Sequence, residues 1–78
     1  MLVNANKNYV VLRDVRISEK KGSVKKGGVL NTLTSPMDKG GVEKVLVKYK
    51  GGGQSGEAPN GTKFWLKLET MAGLCKEA

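Results

Sequence analysis

The chain has 78 residues and carries 14 Lys+Arg against 7 Asp+Glu, a formal charge of +7. That length makes one thin-cored domain, residues 1–78, for which homodimerisation or partner binding would add stability. The charge points to polyanions: phosphate backbones, anionic surfaces or acidic proteins.

Tyr9 to Ile17 (YVVLRDVRI) is rich in β-branched residues and alternates with period two, so it is expected to form one strand. Val11, Val15 and Ile17 share one face; Leu12, Asp14 and Arg16 share the other. Ser18 to Gly28 (SEKKGSVKKGG) then packs Lys20, Lys21, Lys25 and Lys26 among glycines and is expected to be a flexible basic loop or hairpin tip. Val29 to Thr34 is a short strand. Ser35 to Gly41, with Ser-Pro and Gly-Gly, is a turn.

Val42 to Lys50 is the clearest strand. Val45, Val47 and Tyr49 line one face, while Lys44, Lys48 and Lys50 line the other with Leu46. Gly51 to Gly61 is a glycine-rich connection with no apolar anchor, expected to be flexible, and Asn60-Gly61 is a favoured tight-turn pair. Thr62 to Glu69 puts Phe64, Leu66 and Leu68 inward and Lys63, Trp65, Lys67 and Glu69 outward. The tail from Thr70 is one helical turn or a frayed end. No window sustains a helical apolar stripe, so a helix bundle is excluded. The fold class is therefore all-β: a small antiparallel barrel or twisted sheet of four to five strands.

Catalytic chemistry is poorly supplied. There is no histidine, the commonest general base and metal ligand. The single cysteine, Cys75, allows neither an internal disulfide nor the usual zinc sets. The carboxylates are scattered. Gly56 to Lys63 (GEAPNGTK) has its threonine before its lysine, the wrong order for a phosphate loop. No enzyme activity, cofactor or metal is expected. The start Met-Leu-Val-Asn-Ala-Asn lacks the pattern of a secretory leader, and no apolar run could span a membrane. No membrane association is expected, and the reading is cytoplasmic.

Polyanion binding has a better case. Alternate residues on one strand face lie roughly 6.5–7 Å apart, comparable with the phosphate spacing of an extended single strand. Lys48 and Lys50 meet that spacing, and Lys63 and Lys67 flank Trp65. If the last two strands pair, their lysine faces merge and Trp65 offers a ring for a stacked base. Arg16, Lys20, Lys21, Lys25, Lys26 and Lys44 would extend the surface. The competing readings are structural: Trp65 packed against Leu46 or the tail, and the lysines as a solvated, edge-protecting face.

The order of pieces resembles the single-stranded-DNA-binding proteins of filamentous phages. The resemblance runs through Val10 to Ile17, the basic loop Lys21-Gly22-Ser23-Val24-Lys25-Lys26-Gly27, Val29 to Thr34, and then Val45-Leu46-Val47-Lys48 leading through Ala58-Pro59-Asn60-Gly61 to Phe64-Trp65-Leu66. Val29 stands where that family usually has a tyrosine. The resemblance implies a five-stranded OB-like barrel, a homodimer, cooperative coating of single strands and, for a phage-encoded chain, a bacterial host cytoplasm. An SH3-like barrel satisfies the same strand pattern.

The leading expectation is thus a nucleic-acid-binding protein, preferring single-stranded DNA. The alternative is a small phage- or plasmid-encoded inhibitor that presents its basic surface to an acidic host protein. A minor component of a ribonucleoprotein or virion is a third reading.

Overall fold

A computed structural model describes residues 3–78 of the chain. Met1 and Leu2, the first residues of the segment read above for a leader, lie outside the described residues. The protein is mostly β, with 47% of the described residues in strands and 9% in helix, and its sheets are antiparallel.

The long expected strand appears with its expected bounds, as β6. Around it the chain is more finely divided than its pattern suggests. The strands are β1 (Asn8–Val11), β2 (Val15–Ser18), β3 (Gly22–Val24), β4 (Val29–Thr32), β5 (Met37–Lys39), β6 (Val42–Lys50), β7 (Lys63–Lys67) and β8 (Cys75–Glu77), with one helix, α1 (Leu68–Leu74), before β8. The main sheet runs β5-β6-β4-β1-β8, with β7 also on β6, and β2 and β3 form a separate two-stranded sheet. Among the described residues no pairing closes these sheets into a barrel.

β6 organises the main sheet because neighbours pair along both of its edges. Val47 and Lys48 face β4 on one side and β7 on the other. Lys44 faces Met37 of β5 and Lys67 of β7, so β5 and β4 share one edge. Inward, Val45, Val47 and Tyr49 are each 0% exposed. They join Tyr9, Val11, Leu30, Leu66, Met71, Leu74 and Cys75 in one core, with Val15, Ile17, Phe64 and Leu68 packed at its margin.

Three local differences from the sequence pattern have physical causes. The expected single strand Tyr9 to Ile17 is two strands in two sheets, broken at Leu12 to Asp14. Leu12 N–H donates to the Leu74 carbonyl at 2.8 Å, and Lys26 N–H donates to Asp14 Oδ1 at 2.8 Å, so this stretch bonds to other segments. The expected turn Ser35 to Gly41 holds β5, and the turn proper is Gly40-Gly41, both at positive φ (67° and 89°). Two positive-φ residues between paired strands suit the twist of a two-residue hairpin, and glycine takes them without strain. The last expected strand stops at Lys67, and the tail is neither a lone turn nor frayed: α1 buries Met71 and Leu74, and β8 pairs with β1.

Tyrosines and Cys75 aside, Thr32 is the one buried polar side chain among the described residues. Its hydroxyl accepts from Lys7 N–H at 2.9 Å and donates to the Asn4 carbonyl at 2.5 Å, so it anchors the N-terminal segment to β4.

Cys75 is buried, and burial pushes its thiol up to about 11. The thiolate is the reactive form. At neutral pH native protein is expected to react with a thiol reagent much more slowly than urea-unfolded protein. Equal rates in the two states would show that β8 does not hold Cys75 in the core.

Candidate nucleic-acid interface

Burying the odd-numbered residues of β6 turns the even-numbered ones outward. The pairing registers carry that face across the sheet. Lys39 of β5, Lys44, Leu46, Lys48 and Lys50 of β6, and Lys63, Trp65 and Lys67 of β7 share it. Asn31 and Asn8 continue it onto β4 and β1, joined by a 2.8 Å side-chain hydrogen bond, and Lys76 of β8 lies at its far edge. The strand carboxylates Asp38 and Glu43 face each other on the opposite side. No strand residue of this outer face is acidic.

Within this face, like charges are placed together. Lys44 is directly opposite Lys67, Lys48 is directly opposite Lys63, and Leu46 faces Trp65 between them. Tyr49 N–H donates to the Thr62 carbonyl on the β7 side, and the Leu46 carbonyl accepts from Leu33 N–H on the β4 side. Alternation then makes the three outward β6–β7 pairs non-hydrogen-bonded ones, in which side chains approach more closely. Directly opposed like charges destabilise a sheet. The free edge of β7 is met by Lys21, whose Nζ donates to the Lys63 carbonyl at 2.8 Å.

Trp65 faces Leu46 directly across the β6–β7 ladder, one of the two contacts named by the competing expectation, and at 41% exposure it still leaves part of its indole open to solvent. The cation nearest its ring is Lys39, with Nζ 4.3 Å from the ring centroid. Lys39 is absent from the residues singled out by sequence. It lies in a segment read as turn, and only the Gly40-Gly41 hairpin brings it onto the face.

The other expected residues divide. Lys48, Lys50, Lys63 and Lys67 are exposed on the face, and Lys44 is half-buried there. Lys20 and Lys21 lie at the β2–β3 turn, and Arg16 is exposed on β2 in the separate sheet. Lys25 and Lys26 meet Lys50 around an open cleft whose floor includes Gly27, Gly28, Gly51 and Gly52. Part of their charge is already answered: Lys25 Nζ is 3.9 Å from Asp14. The face centred on Trp65 therefore belongs to β5, β6 and β7, with the first loop to one side.

The two segments expected as flexible loops, 18–28 and 51–61, are tied to each other. Segment 18–28 contains β3, and Ser23 bridges to Glu57. Segment 51–61 has an apolar anchor after all, since Ala58 is 2% exposed. It also has a polar one. The buried Tyr49 hydroxyl accepts from Lys25 N–H at 3.0 Å and donates to the Glu57 carboxylate, which also accepts from Gln54 N–H at 2.7 Å. Side chains at Gly28 or Gly51 would collide with this hydroxyl, which accounts for glycine at both positions.

Burial and the Glu57 bond push Tyr49 up to about 12. The Tyr49 hydrogen bond and loop N–H groups hold the Glu57 carboxyl below its ordinary value. Glu57 thus stabilises the fold above the usual carboxylate range and loses that effect as pH falls through its lowered value; Tyr49 stabilises below about pH 10 and loses its effect as pH rises through about 12.

The chain matches no protein-family model, no curated protein and no solved structure. Among the described residues no helix is long and apolar enough to cross a membrane, and no cluster of His, Cys, Asp or Glu could hold a metal.

Tyr49→Phe is expected to cost about 1–3 kcal/mol, since it removes both bonds of a buried hydroxyl, and to speed amide exchange in segments 18–28 and 51–61. Glu57→Gln is expected to flatten the acid limb of the stability–pH curve. An unchanged acid limb would show that Glu57 is not what ties the second loop.

Proposed function

We propose that this protein binds nucleic acid, single strands in preference to duplex, across the β5–β6–β7 face. The observation that carries the reading is the pair of lysine–lysine oppositions flanking an exposed tryptophan. Sheet stability alone does not favour them, because charges of one sign directly across a ladder repel. A phosphate backbone lying on the face relieves that repulsion and releases its own counterions.

The spacing suits a single strand. Lys63 and Lys67 lie two residues to either side of Trp65 on one face, at roughly 6.5–7 Å each. A base stacked on the indole would leave its flanking phosphates near the lysine pairs. Stacking needs an unpaired base with an accessible π-face, which duplex does not offer, and it is sequence-tolerant. Lysine, a hydrated point charge on a flexible stem, also suits contact with phosphates better than readout of base edges. Lys21, Lys25, Lys26 and Arg16 serve as a secondary basic margin.

Titration with a short oligothymidine tests this. Affinity is expected to fall steeply with salt, by roughly 0.7 in log–log slope for each phosphate neutralised on a single strand. Lys63→Glu is expected to weaken binding and flatten the slope. It should also raise the melting temperature, because it turns the Lys48–Lys63 repulsion into an attraction of about 0.2–1 kcal/mol. No binding at low salt, or salt-independent binding, contradicts the proposal. Retention of one acidic protein from nuclease-treated lysate, without oligonucleotide binding, would assign the face to a protein partner.

A further inference from the structure

Lys39 differs from the other lysines of the face. It sits at the end of β5, beside the Gly40-Gly41 turn, and Trp65 sits on β7, along the opposite edge of β6. The two side chains meet over the sheet, with Nζ 4.3 Å from the ring centroid. Among the described residues no carboxylate lies within ion-pair distance of Lys39. Its ammonium therefore has an aromatic ring as its close partner, and a base stacking on that side of the ring would have to take its place.

We infer that Lys39 and Trp65 form a covered base-stacking site, in which a nucleobase of a single strand competes with the Lys39 ammonium for the indole. The inference rests on the proposed single-strand binding and adds a residue and a sequence of events to it. In the free protein the ammonium is held by the ring quadrupole. An arriving base offers a larger contact area and displaces it, because stacking on an aromatic exceeds a cation–π contact at an exposed site. The displaced ammonium stays within reach of the phosphates, so its charge passes from ring to backbone. A polyanion without bases gives the indole nothing to stack against, so it gains nothing from the ring even where its phosphates draw the ammonium away. Lys39 thereby sets how much the protein gains from a base over a bare phosphate chain.

Trp65 is the only tryptophan in the chain, so intrinsic fluorescence reads this site alone. The experiment compares an oligothymidine with an abasic oligonucleotide of equal length and charge, for the unaltered protein, Lys39→Ala and Lys39→Met. In the unaltered protein the oligothymidine should bind more tightly and quench Trp65 emission, while the abasic strand binds with little quenching. Removing the competing ammonium should raise the ratio of abasic to oligothymidine Kd by about 2- to 5-fold in both variants, the range expected for an exposed cation–π contact. A ratio that stays the same or falls in both variants overturns the inference. Equal binding and equal emission with the two strands also overturns it, yet leaves polyanion binding intact. No binding of either strand defeats the proposed function itself.

Discussion

Val45, Val47 and Tyr49 are each fully buried, and that single row decides where every lysine of β6 must point. A strand with period two has no freedom to bury one parity without exposing the other. Because β6 pairs with β4 and β5 along one edge and β7 along the other, its register propagates to both neighbours. The lysine face follows from the apolar core, with the core holding together charges that would otherwise separate.

That arrangement links stability to the proposed function through one set of residues. The apolar face contributes favourable burial, while the opposed lysines across β6 and β7 oppose the same pairing. The free protein tolerates the repulsion because Leu46 and Trp65 pack between the two lysine pairs and because the strands are committed from their inner faces. Lysines on β7, with Lys21 on its Lys63 carbonyl, also discourage edge-to-edge association of the unpaired strand. Edge protection and polyanion binding are compatible uses of these side chains. The difference lies in the exposed indole among them, which edge protection does not require.

The sequence made β6 and the outward lysines legible because each of its residues obeys one strong alternation. The Tyr49 assignment to the core was legible for the same reason. Elsewhere two local signals competed. Leu66 and Leu68 continue the strand alternation, yet Leu68, Met71 and Leu74 also fit a helix turn, and the chain changes period at Lys67. The break at Leu12 to Asp14 depends on bonds to Leu74 and Lys26, which pattern alone does not contain. β5 and β8 are three-residue strands that exist by pairing with longer partners. Lys39 is not legible in the sequence because its place beside Trp65 arises across β6, from a contact with a residue 26 positions away. The anchoring of the second loop was hidden in the same way, in one tyrosine hydroxyl and one glutamate.

The most direct measurement of the central claim is the melting temperature of the unliganded protein as sodium chloride rises from about 0.01 M to about 1 M, over which the Debye length shrinks from roughly 30 Å to 3 Å. If the buried row of β6 holds opposed lysines together against their repulsion, screening must stabilise the fold and the melting temperature must climb with salt. A melting temperature that is flat or falls across that range would contradict the account.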